Sequence, residues 1–272
     1  MKPVIQAKNL YKAYEGEKWV IENVNLTIQP GEFVVLLGPS GCGKTTLLKM
    51  INKLIPLTKG YIYYHDKDIG HWDTVKLRRS IGYVIQNVGL FPHMTIEKNI
   101  AYVPEIMNNK SVETHQRVLY LLNMVGLGKE FLNRYPRELS GGQSQRVGVA
   151  RALGADPDVI LMDEPFGATD EITRRKLQEE LKQIHSHLKK TILFVTHDIE
   201  EAMTLGTRIV LMKEGSIIQE GTPESLVFSP KNDYVRDFFG LKGFKASMDE
   251  SKLKNMYEDI LTKKRNRKDV FN

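Results

Sequence analysis

The stretch Gly38-Pro39-Ser40-Gly41-Cys42-Gly43-Lys44-Thr45 has the spacing G-x-x-x-x-G-K-[ST], which suits it to holding a chain of phosphates. Its three glycines let backbone N–H groups close on phosphate oxygens where side chains would collide. Lys44 is placed to reach the β and γ phosphates and Thr45 to hold Mg²⁺, with Thr46 following in the same phosphate-binding turn. A helix that begins near Gly43 adds the positive end of its dipole. A second end of this kind stands at Leu139-Ser140-Gly141-Gly142-Gln143, where Ser140 reads as an N-cap with free N–H groups beyond it. Polar residues also close three apolar runs. Val159–Met162 ends in Asp163-Glu164, where Asp163 can hold Mg²⁺ through water and Glu164 can face the γ phosphate. Thr191–Thr196 ends in His197, and the run from Ile81 ends in Gln86. Ligands gather at the carboxyl ends of parallel strands, so these termini are expected on one sheet edge.

The elements that must position them follow from periodicity. Phe33–Leu37 is continuously apolar and reads as a buried strand, and Leu47, Leu48 and Ile51 give the helix after the loop a single apolar face. Residues 4–14 and Val20–Ile28 alternate as half-exposed antiparallel strands do, and Pro30-Gly31 turns the chain into Phe33. Tyr61–Tyr64 reads as a strand, Val75–Arg79 as a short helix and Ile81–Gln86 as a strand. From Ile96 to Gly126 the pattern is helical, and Leu177, Leu181, Ile184 and Leu188 make another single stripe. Arg208–Met212 and Ser216–Gln219, split by Lys213-Glu214-Gly215, form a hairpin. Asn87 to His93 reads as an exposed loop with apolar side chains, which suits a partner surface.

Composition limits the alternatives. No apolar run approaches the ~20 residues of a membrane span, and no signal peptide opens the chain, so a cytoplasmic protein is expected. The formal charge of +6 is concentrated after residue 240, where nine Lys and Arg face five Asp and Glu. The body is nearly neutral, which argues against a nucleic-acid groove. Cys42 is the lone cysteine, so no intramolecular disulfide forms. Its place at a helix start beside Lys44 predicts a lowered thiol pKa and a reactive side chain.

Taken in order, the phosphate loop, Gln86, Leu139–Gln143, Asp163-Glu164 and His197 resemble the nucleotide-binding subunit of an ABC transporter, over roughly residues 4–240. Other P-loop ATPases lack the five-residue signature. The resemblance implies an α/β fold, a P-loop (RecA-like) ATPase core with an antiparallel β subdomain and an inserted α-helical subdomain. The ATPase domain would be residues 1–240, its helical insert about 88–155, and residues 241–272 a basic tail. ATP and Mg²⁺ are the implied cofactors. By the resemblance Tyr14 stacks on adenine, with Trp19 and Tyr11 as rival platforms. Gln86 stands near Mg²⁺ and the attacking water, and His197 meets the γ phosphate. Glu164 would be the general base. Two copies, or a paired subunit, clamp each ATP between the Lys44 loop of one and Ser140, Gly141, Gly142 and Gln143 of the other. Asp170, after the loop at the dimer seam, is counted with these nucleotide-binding residues.

More narrowly, Ile81–Gln86 with Gly89–Ile96, and Met162–Ala168, are similar to importers of quaternary-amine osmoprotectants such as glycine betaine, carnitine and choline. Importers of polyamines, amino acids and oxyanions use close variants, and an ABC ATPase that does not transport, acting in DNA repair or on ribosomes, is the rival reading from another class. The resemblance implies transmembrane permease subunits, contacted through Gln86–Met94, and a substrate-binding protein, with this chain peripheral on the cytoplasmic side of the cell membrane. It implies no nucleic acid. Two departures stand out. Ala168-Thr169-Asp170 replaces the usual Ala-Leu-Asp and puts a hydroxyl at the seam, and the 32 residues after Gly240 are too few for the CBS regulatory domains of many such subunits. The tail, with Met248, Leu253, Met256, Ile260 and Leu261 among charges and then Lys263–Lys268, reads as a marginal helix with a solvated basic end, with a membrane-surface or partner-binding helix as the alternative.

Overall fold

The computed structural model describes residues 2–14, 18–86, 88–108, 111–167 and 169–248. Asn87, Ala168 and the basic run Lys263–Lys268 lie outside the described residues.

The first strands, β1 (Ile5–Ala13) and β2 (Trp19–Ile28), alternate buried and exposed positions, as a sheet with one wet face requires. The strand β3 (Phe33–Leu37) is buried at every position and leads through the phosphate loop into α1 (Lys44–Ile51). Next come β4 (Lys59–Tyr64), β5 (Lys67–Asp68), α2 (Thr74–Ser80) and β6 (Ile81–Val84). The helical stretch is divided into α3 (Ile96–Ile106) and α4 (Ser111–Met124), followed by α5 (Gly141–Leu153). The chain then alternates β7 (Val159–Asp163), α6 (Glu171–Leu188), β8 (Thr191–Thr196) and α7 (Ile199–Leu205). It ends in β9 (Arg208–Lys213), β10 (Ser216–Gly221), α8 (Pro223–Phe228) and α9 (Asp233–Ala246).

Two sheets result. One has the order β2-β1-β4-β5, with every pair antiparallel. The other has the order β10-β9-β3-β8-β7-β6, parallel except for the β9–β10 hairpin at its edge. Its central strands are apolar on both faces because both are covered. Phe33, Val35, Leu37, Ile160, Met162 and Phe194 belong to a core shared with α3–α7 and α9. Val34, Leu36, Leu161, Leu193 and Val195 face the opposite way, into a core shared with α1 and the first sheet. Eight residues make a weak helix alone, so α1 depends on burying Leu47, Leu48, Met50 and Ile51, at roughly 1.5–3 kcal/mol each.

The boundary expected at Gly240 falls inside ordered structure. Gly240 takes φ 43 and ψ −142, a non-helical conformation that kinks the chain between two helical segments within Asp233–Ala246. Phe244 then packs on Phe228 with ring centroids 6.2 Å apart, and Ala246 touches the core. Residues 241–246 are thus helical and packed on the rest of the chain.

Candidate active site

The phosphate loop is held from behind by backbone. Gly215 N–H donates to Cys42 O at 3.1 Å, which fastens the loop to the β9–β10 turn. A Cβ on Gly38, at φ 154, would stand 2.3 Å from Met212 O, and one on Gly43, at φ 103, 2.7 Å from Val20 O. Only glycine fits both places. Lys44 is buried and its Nζ donates to Gly38 O at 2.7 Å and Pro39 O at 2.9 Å, so the ammonium lies across the loop. A cavity of about 780 Å³ opens beside it, lined by Pro39, Ser40, Gly41, Cys42, Lys18, Trp19, Val20, Glu22 and the turn Lys213-Glu214-Gly215.

Among the aromatic candidates, Trp19 lines this cavity, and Tyr11 packs edge-on against it with centroids 5.3 Å apart. Tyr14, which the resemblance favours, is 51% exposed, and Lys12 Nζ sits 5.0 Å over its ring. Cys42 departs from expectation. It is only 5% exposed, and burial pushes its thiol pKa up; nearby Lys44 opposes that with a smaller effect. The helix start is present, but desolvation outweighs it.

One strand end, Asp163, meets the phosphate loop directly. Thr45 Oγ1 donates to Asp163 Oδ1 at 2.7 Å. Burial raises the Asp163 pKa, while the Thr45 hydrogen bond and Lys49 act against that shift. Glu164 takes φ 43, in the left-handed region, and its N–H donates to Val195 O at 3.0 Å. His197 Nδ1 stands 3.4 Å from Glu164 Oε2. A Cβ on Gly167 would come 3.5 Å from Glu164 O and 3.6 Å from Gln86 Nε2, so the Gln86 amide borders the same turn.

Ser140 caps α5 as its sequence suggests. Its Oγ accepts from Gln143 N–H at 3.3 Å, and Gln143 Oε1 accepts from Ser140 N–H at 2.9 Å. A Cβ on Gly142 would lie 2.9 Å from Thr173 Cγ2, which seats this helix end against α6, whereas one on Gly141 would meet nothing within 4 Å. These residues do not line the phosphate-loop cavity of their own chain. Asp170 caps α6 by accepting from Thr173 N–H at 3.0 Å, and that backbone hydrogen bond holds its carboxyl below the usual range.

The pattern of the family described as ABC transporter matches residues 21–167. The chain belongs to the ABC transporter family. It is 53% identical over 237 residues to the carnitine transport ATP-binding protein OpuCA of Listeria monocytogenes, a match covering 87% of this chain and 60% of that one. Identity to the choline transport ATP-binding protein OpuBA of Bacillus subtilis is 52%, over 87% and 62% of the two chains. For the glycine betaine uptake protein YehX of Escherichia coli it is 46%, over 87% and 77%. The chain thus spans about three fifths of the length of the carnitine and choline relatives. Among solved structures, the dimeric bacterial ABC transporter cassette MJ0796 aligns with TM-score 0.72 at 39% identity, over 80% of this chain and 98% of that one.

Within this ABC fold several site-supporting residues carry no signal in the sequence. Arg151 on α5 donates to Gly89 O at 2.7 Å and Val88 O at 2.6 Å, and burial lowers its pKa. It thereby fixes the loop after Gln86, whose Val88 and Gly89 both have positive φ. Asn99, wholly buried in α3, accepts from Phe91 N–H at 2.8 Å and donates to Phe91 O at 3.2 Å and Thr95 O at 3.0 Å. The loop, α5 and α3 border a groove of about 340 Å³ that includes Arg79, Tyr83, Ile85, Phe91, Tyr102 and Arg151.

Proposed function

We propose that this chain is the ATP-hydrolysing subunit of an ABC importer, coupling ATP binding and hydrolysis to uptake of a quaternary-amine osmoprotectant through a separate permease. The observation that carries the hydrolytic reading is the meeting of Glu164 with His197 at 3.4 Å beside the Thr45–Asp163 pair. Lys44 and the loop N–H groups bind and orient the phosphates. Thr45 and Asp163, with Gln86, fit a small hard cation, since Mg²⁺ takes one or two carboxylates plus substrate phosphates and keeps several waters. Bound there, Mg²⁺ would supply charge neutralisation for the transferring phosphoryl group. Glu164 takes the proton of the attacking water, and His197 orients that carboxylate and faces the γ phosphate.

Because Ser140–Gln143 stand away from the cavity of their own chain, the reading pairs two copies, each offering its α5 N-terminus to the other's ATP. MJ0796 supports it, being described as a dimer and, in a second structure, as a post-hydrolysis state bound to ADP and Pi. The groove beside Gln86 is the surface offered to the permease, whose own partner is a substrate-binding protein. The chain is read as a peripheral subunit on the cytoplasmic side, in line with relatives described as transport ATP-binding proteins; among the described residues no helix is long and apolar enough to cross a membrane. Quaternary amines are favoured over polyamines because identity to the carnitine and choline relatives is 53% and 52%, against 43% for the spermidine/putrescine protein PotA of Pasteurella multocida. Cells lacking this protein should lose uptake of betaine, carnitine or choline under osmotic stress, and Glu164→Gln should fail to restore it while slowing ATP turnover by roughly 10²–10⁴. Normal quaternary-amine uptake with loss of a polyamine would move the substrate to the other class.

A further inference from the structure

Arg174, in the first turn of α6, touches two loops at once. Its Nη2 donates to Thr169 O at 3.1 Å, on the loop that follows Glu164. Its Nη1 lies 4.0 Å from Asp198 Oδ2 and its Nε 3.8 Å from Glu201 Oε1, both next to His197 in the chain or one turn beyond it. Neither carboxylate is free to wander. Asp198 Oδ1 accepts from the N–H groups of Glu200 at 2.7 Å and Glu201 at 3.2 Å, which caps α7. Glu201 is only 5% exposed and accepts from Thr196 Oγ1 at 2.5 Å, and that hydroxyl accepts from Asp198 N–H at 3.0 Å. The residues on both sides of His197 are therefore fixed to groups that face Arg174. On the other loop, Gly167 N–H donates to Glu164 O at 3.2 Å and Thr169 Oγ1 to Phe166 O at 2.8 Å. Since His197 Nδ1 stands 3.4 Å from Glu164 Oε2, the contacts run in a closed ring.

We propose that Arg174 is a positioning residue for hydrolysis, clamping the loop after Glu164 to the loop that carries His197 and so setting the separation of those two side chains. The proposal rests on the reading of Glu164 and His197 as the hydrolytic pair. A planar guanidinium hydrogen-bonds a carbonyl while standing within ion-pair range of two carboxylates in other directions, which a lysine ammonium on one flexible stem does less well. Leaving buried Glu201 without its cation would also disturb the carboxylate that holds Thr196.

The test is MgATP turnover by the full chain, with melting temperature measured alongside, for wild type, Arg174→Gln, Arg174→Lys, Glu201→Gln and the Arg174→Gln, Glu201→Gln double variant. A displaced reacting pair costs on the order of 10–10² in rate, so Arg174→Gln should lower kcat by about that factor with KM within about twofold. Arg174→Lys should recover part of the loss, and the double variant should be no slower than the slower single one, because both changes cut one ring. Unchanged kcat in Arg174→Gln overturns the proposal. So does a joint change of kcat and KM that Arg174→Lys does not relieve, or a double variant whose loss is the product of the two. Should Arg174→Gln fail to fold, Arg174→Lys combined with Glu201→Gln completes the same cycle. A wild type that hydrolyses no ATP overturns the reading of the site and the clamp with it, whereas an active wild type with an indifferent Arg174→Gln overturns the clamp alone.

Discussion

Glu164 holds a left-handed backbone at φ 43, and that conformation separates what the residue contributes to chemistry from what it costs in stability. The backbone cannot relax, because its N–H is tied to Val195 O at 3.0 Å and its carbonyl accepts Gly167 N–H at 3.2 Å. A side chain with a Cβ pays roughly 1–2 kcal/mol for this geometry, and glycine does not. Glycine loses more chain entropy on folding, roughly 0.5–1 kcal/mol relative to alanine, so the net gain of glycine over alanine here is about 0.5–1 kcal/mol. For a chain of this size that is about 1–4 °C in melting temperature. The comparison must be Glu164→Gly against Glu164→Ala, since both remove the carboxylate near His197 and only one removes the Cβ. Thermal unfolding of the nucleotide-free protein reads the stability, and steady-state turnover of MgATP reads the chemistry. We expect both variants to lose roughly 10²–10⁴ in rate, with Glu164→Gly the higher melting of the two. If Glu164→Gly melts at or below Glu164→Ala, the strain argument is wrong.

Two further outcomes follow from a half-buried histidine and a buried cysteine. His185 Nε2 lies 3.0 Å from Gly31 O, its ring packs edge-on to Phe33, and burial lowers its pKa from the ordinary 6.5. Its contribution to stability is complete above that ordinary value and is lost as pH falls from there through the lowered one, so His185→Gln should flatten the loss of melting temperature as pH falls below the ordinary 6.5; identical slopes would refute it. Cys42, buried and with a raised pKa, should be alkylated slowly by iodoacetamide in the native protein with or without MgATP and quickly after unfolding, and rapid native labelling would restore the reactive thiol that its neighbours suggest.

Much of the fold was legible because its central strands carry short, unbroken apolar runs between turn residues, and because the phosphate loop lies between one of them and a helix. The strand-end residues could be placed on one edge by the rule that parallel strands offer their carboxyl ends to ligands. What stayed hidden has a common cause. Asn99, Arg151, Arg174 and Glu201 are polar residues whose roles depend on partners brought near by folding; Arg151 meets Val88 across 63 positions. Periodicity reports which face of a helix is apolar, and it says nothing of which backbone carbonyl a buried arginine will find. Gly240 shows the same limit: glycine often ends a helix, and here it kinks the chain between two helical segments, with Phe244 beyond the kink packed on Phe228.

Thr169 shows how a local departure in sequence can be absorbed by local structure. A threonine in place of the usual leucine brings a hydroxyl to the seam between two copies, where an unmet polar group costs about 1–3 kcal/mol. The hydroxyl instead donates to Phe166 O at 2.8 Å, and Thr169 N–H donates to the same carbonyl at 3.1 Å. Its own carbonyl accepts from Arg174 Nη2 at 3.1 Å. All three polar groups of the residue are thus satisfied within one chain, so the exchange of leucine for threonine asks nothing polar of a second copy. The threonine hydroxyl thus finds its partner within its own loop, which gives the departure a physical reason inside the chain.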